Sequence, residues 1–381
     1  NDQSVQLLVN AINNLLGNYG QTLDMTKPVY LKKGIDSDVQ ELVSDMKSGA
    51  VGVLLINGVN PAYSMPSELG FAEAMDKVKT VATFALRPNA TTEKSKYIGA
   101  LHHYLEAWND VNPVKGHYAI AQPSIRPLFD TKQFEDALLF LTASDKSYYD
   151  YIKANWKETA AKMPNPPLMF EEFWNEVLHE GYVEVKMPDE EVSFNADVAA
   201  AASALPKPAS SEWEIEFYQK VGIGDGNQSH NPWLQELPDP ISKMTWDNYI
   251  AMNPTDAREQ GFATEYGEQK NADTINITIN GVSIENVPVI AQPGQARGTL
   301  SVAVGYGQTI GKKNEIVGFN VYPSVSTKKY PSNYTADVSF EATGNDYQVA
   351  TTQTHQTVMG RTSVVRETDW KTYKNGHKDD Y

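Results

Sequence analysis

The sequence predicts an α/β half followed by a β-rich half closed as a barrel. Three observations predict it. Helical apolar spacing alternates with short apolar strands over residues 1–186; an Ala- and Pro-containing stretch reads as an exposed linker over 187–211; and the apolar period drops to two across 212–353. Residues 354–381 form a C-terminal extension, polar from Trp370 onward.

In chain order, Val5, Leu8, Val9, Ile12, Leu15 and Leu16 follow the i, i+3, i+4, i+7 rule, and Gly17 and Gly20 stop that helix. Asp36 or Ser37 caps a second helix carrying Val39, Leu42, Val43 and Met46, with Gly49 past its end. Val51 to Ile56 is a continuous apolar run, the pattern of a parallel strand buried on both faces. Asn57-Gly58-Val59-Asn60-Pro61 breaks it, Pro66 to Val78 reads as a helix, and Thr80 to Leu86 as the next strand. This is a βαβ unit, and ligands of open α/β sheets bind beyond strand C-termini, where the Gly58 loop lies. Tyr97–Pro127 reads as irregular, and helical spacing returns at Phe134–Leu141, Tyr148–Trp156 and Phe170–Leu178.

In the second half, Glu212, Glu214 and Glu216 alternate with Trp213, Ile215 and Phe217, a solvated strand face opposite a buried one. Ile275, Ile277 and Ile279 share a face, and Asn280-Gly281 is a type I′ hairpin signal. Val287–Ile290 and Gly298–Gly307 are strands, and Val317, Phe319 and Val321, then Val338 and Phe340, continue the pattern.

Composition bounds function. At 381 residues, with 41% apolar and 21% charged residues, the chain has room for two cores. Its 32 basic and 48 acidic residues give a net charge of −16, which argues against nucleic acid. With no cysteine, disulfides, thiol chemistry and thiolate-held clusters are excluded. No apolar run approaches the ~18 residues that span a bilayer. Asn1-Asp2-Gln3-Ser4 has neither an initiator Met nor a signal-peptide pattern, so we expect sequence upstream, and the polar tail reads as a linker to something further.

Local chemistry names no reaction. Gly222-Ile223-Gly224-Asp225-Gly226 and Gly305-Tyr306-Gly307 lack the dinucleotide spacing and read as tight turns with a close backbone approach. Asp225, Asn227, Ser229, Asn231 and Glu236 match calcium-loop positions, but His230 stands where Gly is needed. His102, His103 and Glu106 would bring a His/carboxylate pair together if helical, 102 and 106 being one turn apart, but no third ligand is evident, and His355 reads as structural. No nucleophile elbow, phosphate loop or HExxH motif is present, so no catalytic or metal-binding residue is assigned.

An ordered string of segments nevertheless resembles the molybdopterin oxidoreductases. Gly58-Val59-Asn60-Pro61-Ala62-Tyr63-Ser64-Met65-Pro66, His103-Tyr104-Leu105-Glu106-Ala107-Trp108-Asn109-Asp110 and Gln122-Pro123-Ser124-Ile125-Arg126-Pro127-Leu128-Phe129-Asp130-Thr131 look like consecutive motifs of their α/β region. Gly294, Gly298 and Val304-Gly305-Tyr306-Gly307 look like their C-terminal dinucleotide-binding barrel. A narrower likeness, carried by Asn231–Pro240, Lys243–Tyr249, Val287–Gln295 and Thr352–Gln356, is to the large iron–sulfur subunit of alternative complex III, a quinol oxidoreductase.

That resemblance implies a molybdopterin-oxidoreductase-like α/β sandwich and barrel that has lost its molybdenum cofactor and serves as a scaffold. Its vestigial pocket would involve Gly58, Asn60, Pro61, His103, Glu106, Gly305 and Gly307, with no cofactor in this chain. Iron–sulfur clusters would follow Tyr381. Partners would be subunits of a membrane-bound respiratory complex, including a multihaem cytochrome and quinol-binding membrane subunits. The location would be the periplasmic face of the cytoplasmic membrane, after export in folded form. Tyr148, Tyr149, Tyr151, Trp156, Trp233 and Trp246 are candidate contacts or core. The competing reading is part of a catalytic molybdopterin enzyme of the polysulfide or thiosulfate reductase type, the same residues lining a pterin pocket.

Overall fold

The computed structural model describes residues 3–31, 34–187, 193–205, 211–267, 270–310, 315–327, 333–353, 358, 360–361, 363–364, 366–377 and 379. It divides into two units, residues 1–208 with 327–331, and 209–326 with 332–381. Pro206-Lys207-Pro208 and His355 lie outside the described residues.

The first unit opens with α1 (Gln3–Leu15), whose residues Val5, Val9, Ile12 and Leu15 stay exposed. Helix α2 (Asp36–Ser48) is capped by Ile35, not by Asp36 or Ser37. Its first turn instead carries Asp36 and Asp38, where the helix dipole favours negative charge. At the other end Gly49 takes φ 80° and donates to Asp45 and Met46 carbonyls, closing the helix as its position suggested.

Strand β1 (Val53–Asn57) leads into a broken helical segment: α3 (Pro61–Ser64), a 3-10 turn at Ser67–Leu69 and α4 (Phe71–Met75). The single helix expected over 66–78 fails because Met65, ahead of Pro66, is extended, and Gly70 takes φ 62°. Next come β2 (Thr80–Ala85), α5 (Ala90–Glu93) and β3 (Tyr97–Ala100). The three strands form a parallel sheet in the order β1-β2-β3, Val53 opposite Thr80 and Ala82 opposite Tyr97. Only one face of β1 is buried, which corrects the expectation of two. Leu54 and Ile56 pack with Val43, Met46, Phe71 and Met75, while Val53 is 61% and Leu55 41% exposed.

The stretch expected to be irregular, 97–127, holds β3, β4 (Asn109–Val114) and β5 (His117–Ala121). Polar Asn109, Asp110 and Asn112 and a register shift between Val111 and Val114 hide the strand period. Helices α6 (Phe134–Leu141), α7 (Tyr148–Ala161) and α8 (Phe170–Glu180) stand where their spacing placed them. Strand β6 (Tyr182–Glu184) completes an antiparallel sheet, β4-β5-β6. Ile120, Ile152, Trp156, Trp174 and Val177 form its core, so Trp156 is interior and not a contact surface. Within 187–211, the Ala run forms α9 (Val198–Ser203), capped by Asp197 and packed against α1. Alanine's helix propensity outweighs the linker composition there.

The second unit contains β7 (Glu214–Tyr218), α10 (Pro232–Glu236), β8 (Met244–Thr245), β9 (Ile250–Met252) and α11 (Pro254–Glu259). There follow β10 (Ala272–Ile279), β11 (Val282–Ala291), β12 (Thr299–Ala303), β13 (Thr309–Ile310) and β14 (Glu315–Ile316). Last are β15 (Tyr334–Thr335), β16 (Val338–Tyr347), β17 (Ala350–Thr351) and α12 (Trp370–Asn375).

Its main sheet runs β15-β7-β12-β9-β11-β10-β16. Ile275, Ile277 and Ile279 are fully buried, and Asn280 and Gly281, at φ 49° and 78°, turn β10 into β11. The expected closed barrel is not seen. Among the described residues, no ladder joins two-residue β15 to ten-residue β16, and the sheet stays open at both edges. Residues 317–321 are a loop, not the expected strand, because an amide side chain replaces a neighbouring strand. Asn248 Nδ2 donates to Ala303 O (2.9 Å) and Phe319 O (3.0 Å), and its Oδ1 accepts from Phe319 N at 3.0 Å. Val321 still reaches the core.

Candidate functional site

Parallel pairing of β1, β2 and β3 sends the loops that follow them from one edge of the first unit's sheet. Gly58 takes φ 69°, a conformation glycine adopts without strain, and its N–H donates to Phe84 O at 2.9 Å, extending the ladder by one residue. Asn60 follows. Its Oδ1 accepts from Thr91 N (3.1 Å) and Thr91 Oγ1 (2.8 Å), and Thr91 Oγ1 accepts from Ala62 N at 3.0 Å. Asn60 O accepts from Ser64 Oγ at 3.1 Å. Pro61, buried, occupies the first position of α3, where its missing N–H costs nothing. Asn60 thus clasps the loop after β1 to the loop after β2.

Asn60→Ala should therefore lower stability by ~1–3 kcal/mol, since it strips the buried Thr91 hydroxyl of its acceptor, while Thr91 N keeps Asn89 Oδ1 at 3.0 Å. Asn60→Asp, which keeps an acceptor, should lose less. Urea denaturation of the three proteins checks this order, and equal midpoints for Asn60→Ala and the parent would remove the clasp.

Beyond β3, His102 Nδ1 lies 2.6 Å from Thr131 Oγ1. His103 caps the 3-10 turn Tyr104–Glu106, its Nδ1 accepting from Leu105 N at 3.3 Å. Glu106 is buried; its Oε2 accepts from His103 N and its Oε1 from Leu128 N, each at 2.9 Å. The Leu128 and His103 amides hold its carboxyl below the usual glutamate range. Such a group contributes stability above the unfolded carboxylate pKa and loses it as pH falls through the folded value. His102, His103 and Glu106 are thus turn and loop fasteners. Among the described residues, no three His, Asp or Glu side chains gather to hold a metal ion.

In the second unit the two glycine loops face each other. A Cβ on Gly305 would stand 2.7 Å from Gly224 O and 2.8 Å from Gly226 N; one on Gly307 would stand 2.3 Å from Asn320 N. The expected close backbone approach is present, and what approaches is the unit's own chain. The calcium-like run is also turn chemistry: Asp225 Oδ1 accepts from Asn227 N at 3.0 Å and Asn231 Oδ1 from Trp233 N at 3.1 Å.

Sequence reasoning missed Lys220. This lysine is buried among Tyr249, Tyr306 and Asp247, and burial pushes its amine down to about 8. Nothing in Phe217-Tyr218-Gln219-Lys220-Val221 signals it, because the burying residues come from distant segments. Trp233 is exposed, while Trp246 takes φ 66° beside Lys220 in the wall of a crevice.

No family model matches the chain. Over 279 residues it is 23% identical to the menaquinone reductase, molybdopterin-binding-like subunit, of Nitratidesulfovibrio vulgaris, a match covering 70% of this chain. The chain spans 37% of that relative's length. Among solved structures, acetylene hydratase from Pelobacter acetylenicus superposes with a TM-score of 0.55 at 12% identity, over 79% of this chain and 46% of that one. The fold is molybdopterin-oxidoreductase-like. No helix among the described residues is long and apolar enough to cross a membrane.

Proposed function

We propose that this chain is a non-catalytic, molybdopterin-oxidoreductase-like scaffold within the iron–sulfur subunit of a membrane-bound quinol:cytochrome c or similar oxidoreductase, of the alternative complex III kind. The relative's printed name, a molybdopterin-binding-like subunit of a menaquinone reductase, supports the oxidoreductase setting and subunit partners. In this reading the partners include a multihaem cytochrome and quinol-binding membrane subunits, on the periplasmic face of the cytoplasmic membrane. The clusters belong to polypeptide after Tyr381, since this chain has no thiolates.

One observation carries the scaffold reading: the polar candidate pocket residues Asn60 and Glu106 are spent on the protein's own donors. Asn60 Oδ1 takes both Thr91 donors, and Glu106 takes the His103 and Leu128 amides. Gly305 and Gly307 lie against the chain's own backbone, where an added Cβ would meet Gly224, Gly226 or Asn320. These residues do not fit a pterin cradle, and no chemical step is drawn through one.

Metal and pterin analysis of the intact native protein tests this. Iron without molybdenum, tungsten or pterin is the expected result. Stoichiometric molybdenum or tungsten with pterin would overturn it in favour of a catalytic subunit of the polysulfide or thiosulfate reductase type.

A further inference from the structure

Three Asn-Gly pairs occur in the chain: Asn57-Gly58, Asn280-Gly281 and Asn375-Gly376. Asparagine is a thermolabile residue, and a glycine after it puts no Cβ between the following backbone nitrogen and the carboxamide carbon. Attack of that nitrogen needs two things from the fold: an N–H that can leave its hydrogen bond, and a carboxamide free to swing onto it. Two of the pairs lack one or the other. Gly58 N–H donates to Phe84 O at 2.9 Å, one step beyond the β1-β2 ladder, whose Leu54 and Ile56 lie in the first unit's core. Asn280 is gripped at both ends of its carboxamide: Nδ2 donates to Ser324 O at 2.7 Å, and Oδ1 accepts from Thr335 Oγ1 at 2.8 Å. Ser324 and Thr335 are both buried.

The third pair is open on both counts. Asn375 is exposed at the last position of α12, and among the described residues its carboxamide has no hydrogen bond. Gly376 N–H donates to Thr372 O at 2.6 Å, but that bond closes the end of a six-residue helix with no buried residue. Helices this short are marginal without packing, and chain termini fray first. Trp370 and Tyr373, 73% and 57% exposed, stack on each other without anchoring the helix to a core.

We infer that Asn375 is a site of spontaneous succinimide formation and conversion to isoaspartate, and that the fold shuts the other two Asn-Gly pairs. The Gly376 nitrogen gives up its proton and bonds to Cγ of Asn375. The carboxamide NH2 leaves with that proton as ammonia, closing the imide ring. Water then adds to either ring carbonyl, and the C–N bond that breaks decides between aspartate and isoaspartate. One water is consumed and one ammonia released, so no oxidant or reductant is needed. Each converted chain carries one negative charge beyond the −16 of the parent. Isoaspartate also inserts a methylene into the backbone, so the Thr372–Gly376 turn cannot re-form as it was.

The test incubates the full chain in mildly alkaline buffer, one sample folded and one unfolded in urea. Peptide mass spectrometry follows each asparagine, and enzymatic methylation of isoaspartyl carboxyls identifies the isomer. In the folded protein Asn375 should convert at least ~10-fold faster than Asn57 and Asn280, whose shields open only with the core around them. In urea the three rates should converge. Gly376 sits at φ −89°, which alanine adopts without strain, so Gly376→Ala should slow Asn375 and leave the other two pairs unchanged. Conversion of Asn57 or Asn280 as fast as Asn375 in the folded protein, or of none of the three, would overturn the proposal. Differences that persist in urea would overturn it as well, since neighbouring sequence and not the fold would then set the rates.

Discussion

Gly307→Ala is expected to cost the second unit more than ~4 kcal/mol, the exceptional range for a single substitution. Gly307 has φ 77°, and an added Cβ would meet Asn320 N at 2.3 Å and Phe319 C at 2.8 Å. Both are backbone atoms, so neither can swing aside as a side chain would. Nor is their segment free to retreat: Phe319 N and O are both bonded to buried Asn248, which also holds Ala303 O. The methyl group must therefore break that bracket or displace the turn.

Gly281→Ala is the control. Gly281 has φ 78° with nothing within 4 Å of the would-be Cβ, so it should lose only the ~1–2 kcal/mol of the left-handed conformation itself. Urea midpoints of the two variants separate contact from conformation. Equal losses would mean that the close approach at Gly307 is not what demands glycine there.

The contrast between these glycines also shows where the sequence was legible. Asn280-Gly281 announces its turn because the signal is local, two residues long and flanked by alternating isoleucines. The Gly305 and Gly307 pairing with Gly226 and Asn320 joins segments far apart in sequence; composition could suggest a close approach but not name its partner. Secondary structure failed for the same reason. Val317–Val321 has a strand's alternation, yet a side chain about 70 residues away satisfies its backbone. Val53 and Leu55 look interior, but whether a strand face is covered depends on which helices dock, and α2 and α4 cover only the other one.

At the candidate site, the motif residues Asn60 and Glu106 were visible as types. Their roles as a clasp and a fastener needed Thr91 and Leu128, which no spacing rule pairs with them. Lys220 gave no signal at all, since its unusual amine is made entirely by what surrounds it.

Trp174→Ala should cost the first unit ~3–5 kcal/mol, the usual penalty for removing a buried aromatic side chain. Trp174 is 1% exposed, and its ring lies 5.9 Å from that of Trp156, 6.0 Å from Phe170 and 6.2 Å from Tyr149. Removing it leaves three rings facing a void and strips Tyr149 OH of its Nε1 donor at 3.3 Å. The neighbours cannot collapse freely, because Trp156 is pinned by its own bond to Asp110 Oδ2 at 2.8 Å, which ties α7 to β4. Trp174→Phe keeps most of the contact area and should lose about half as much. Trp370→Ala gives the opposite limit: that ring is 73% exposed and, among the described residues, stacks only on Tyr373, so its removal should change stability by less than ~0.5 kcal/mol. Thermal melts followed by near-ultraviolet dichroism rank the three. If Trp174→Ala melted with Trp370→Ala, the cluster around Trp174 would not be the core of the β4-β5-β6 layer, and the helices α7 and α8 would have to be held by something other than the aromatic packing between them.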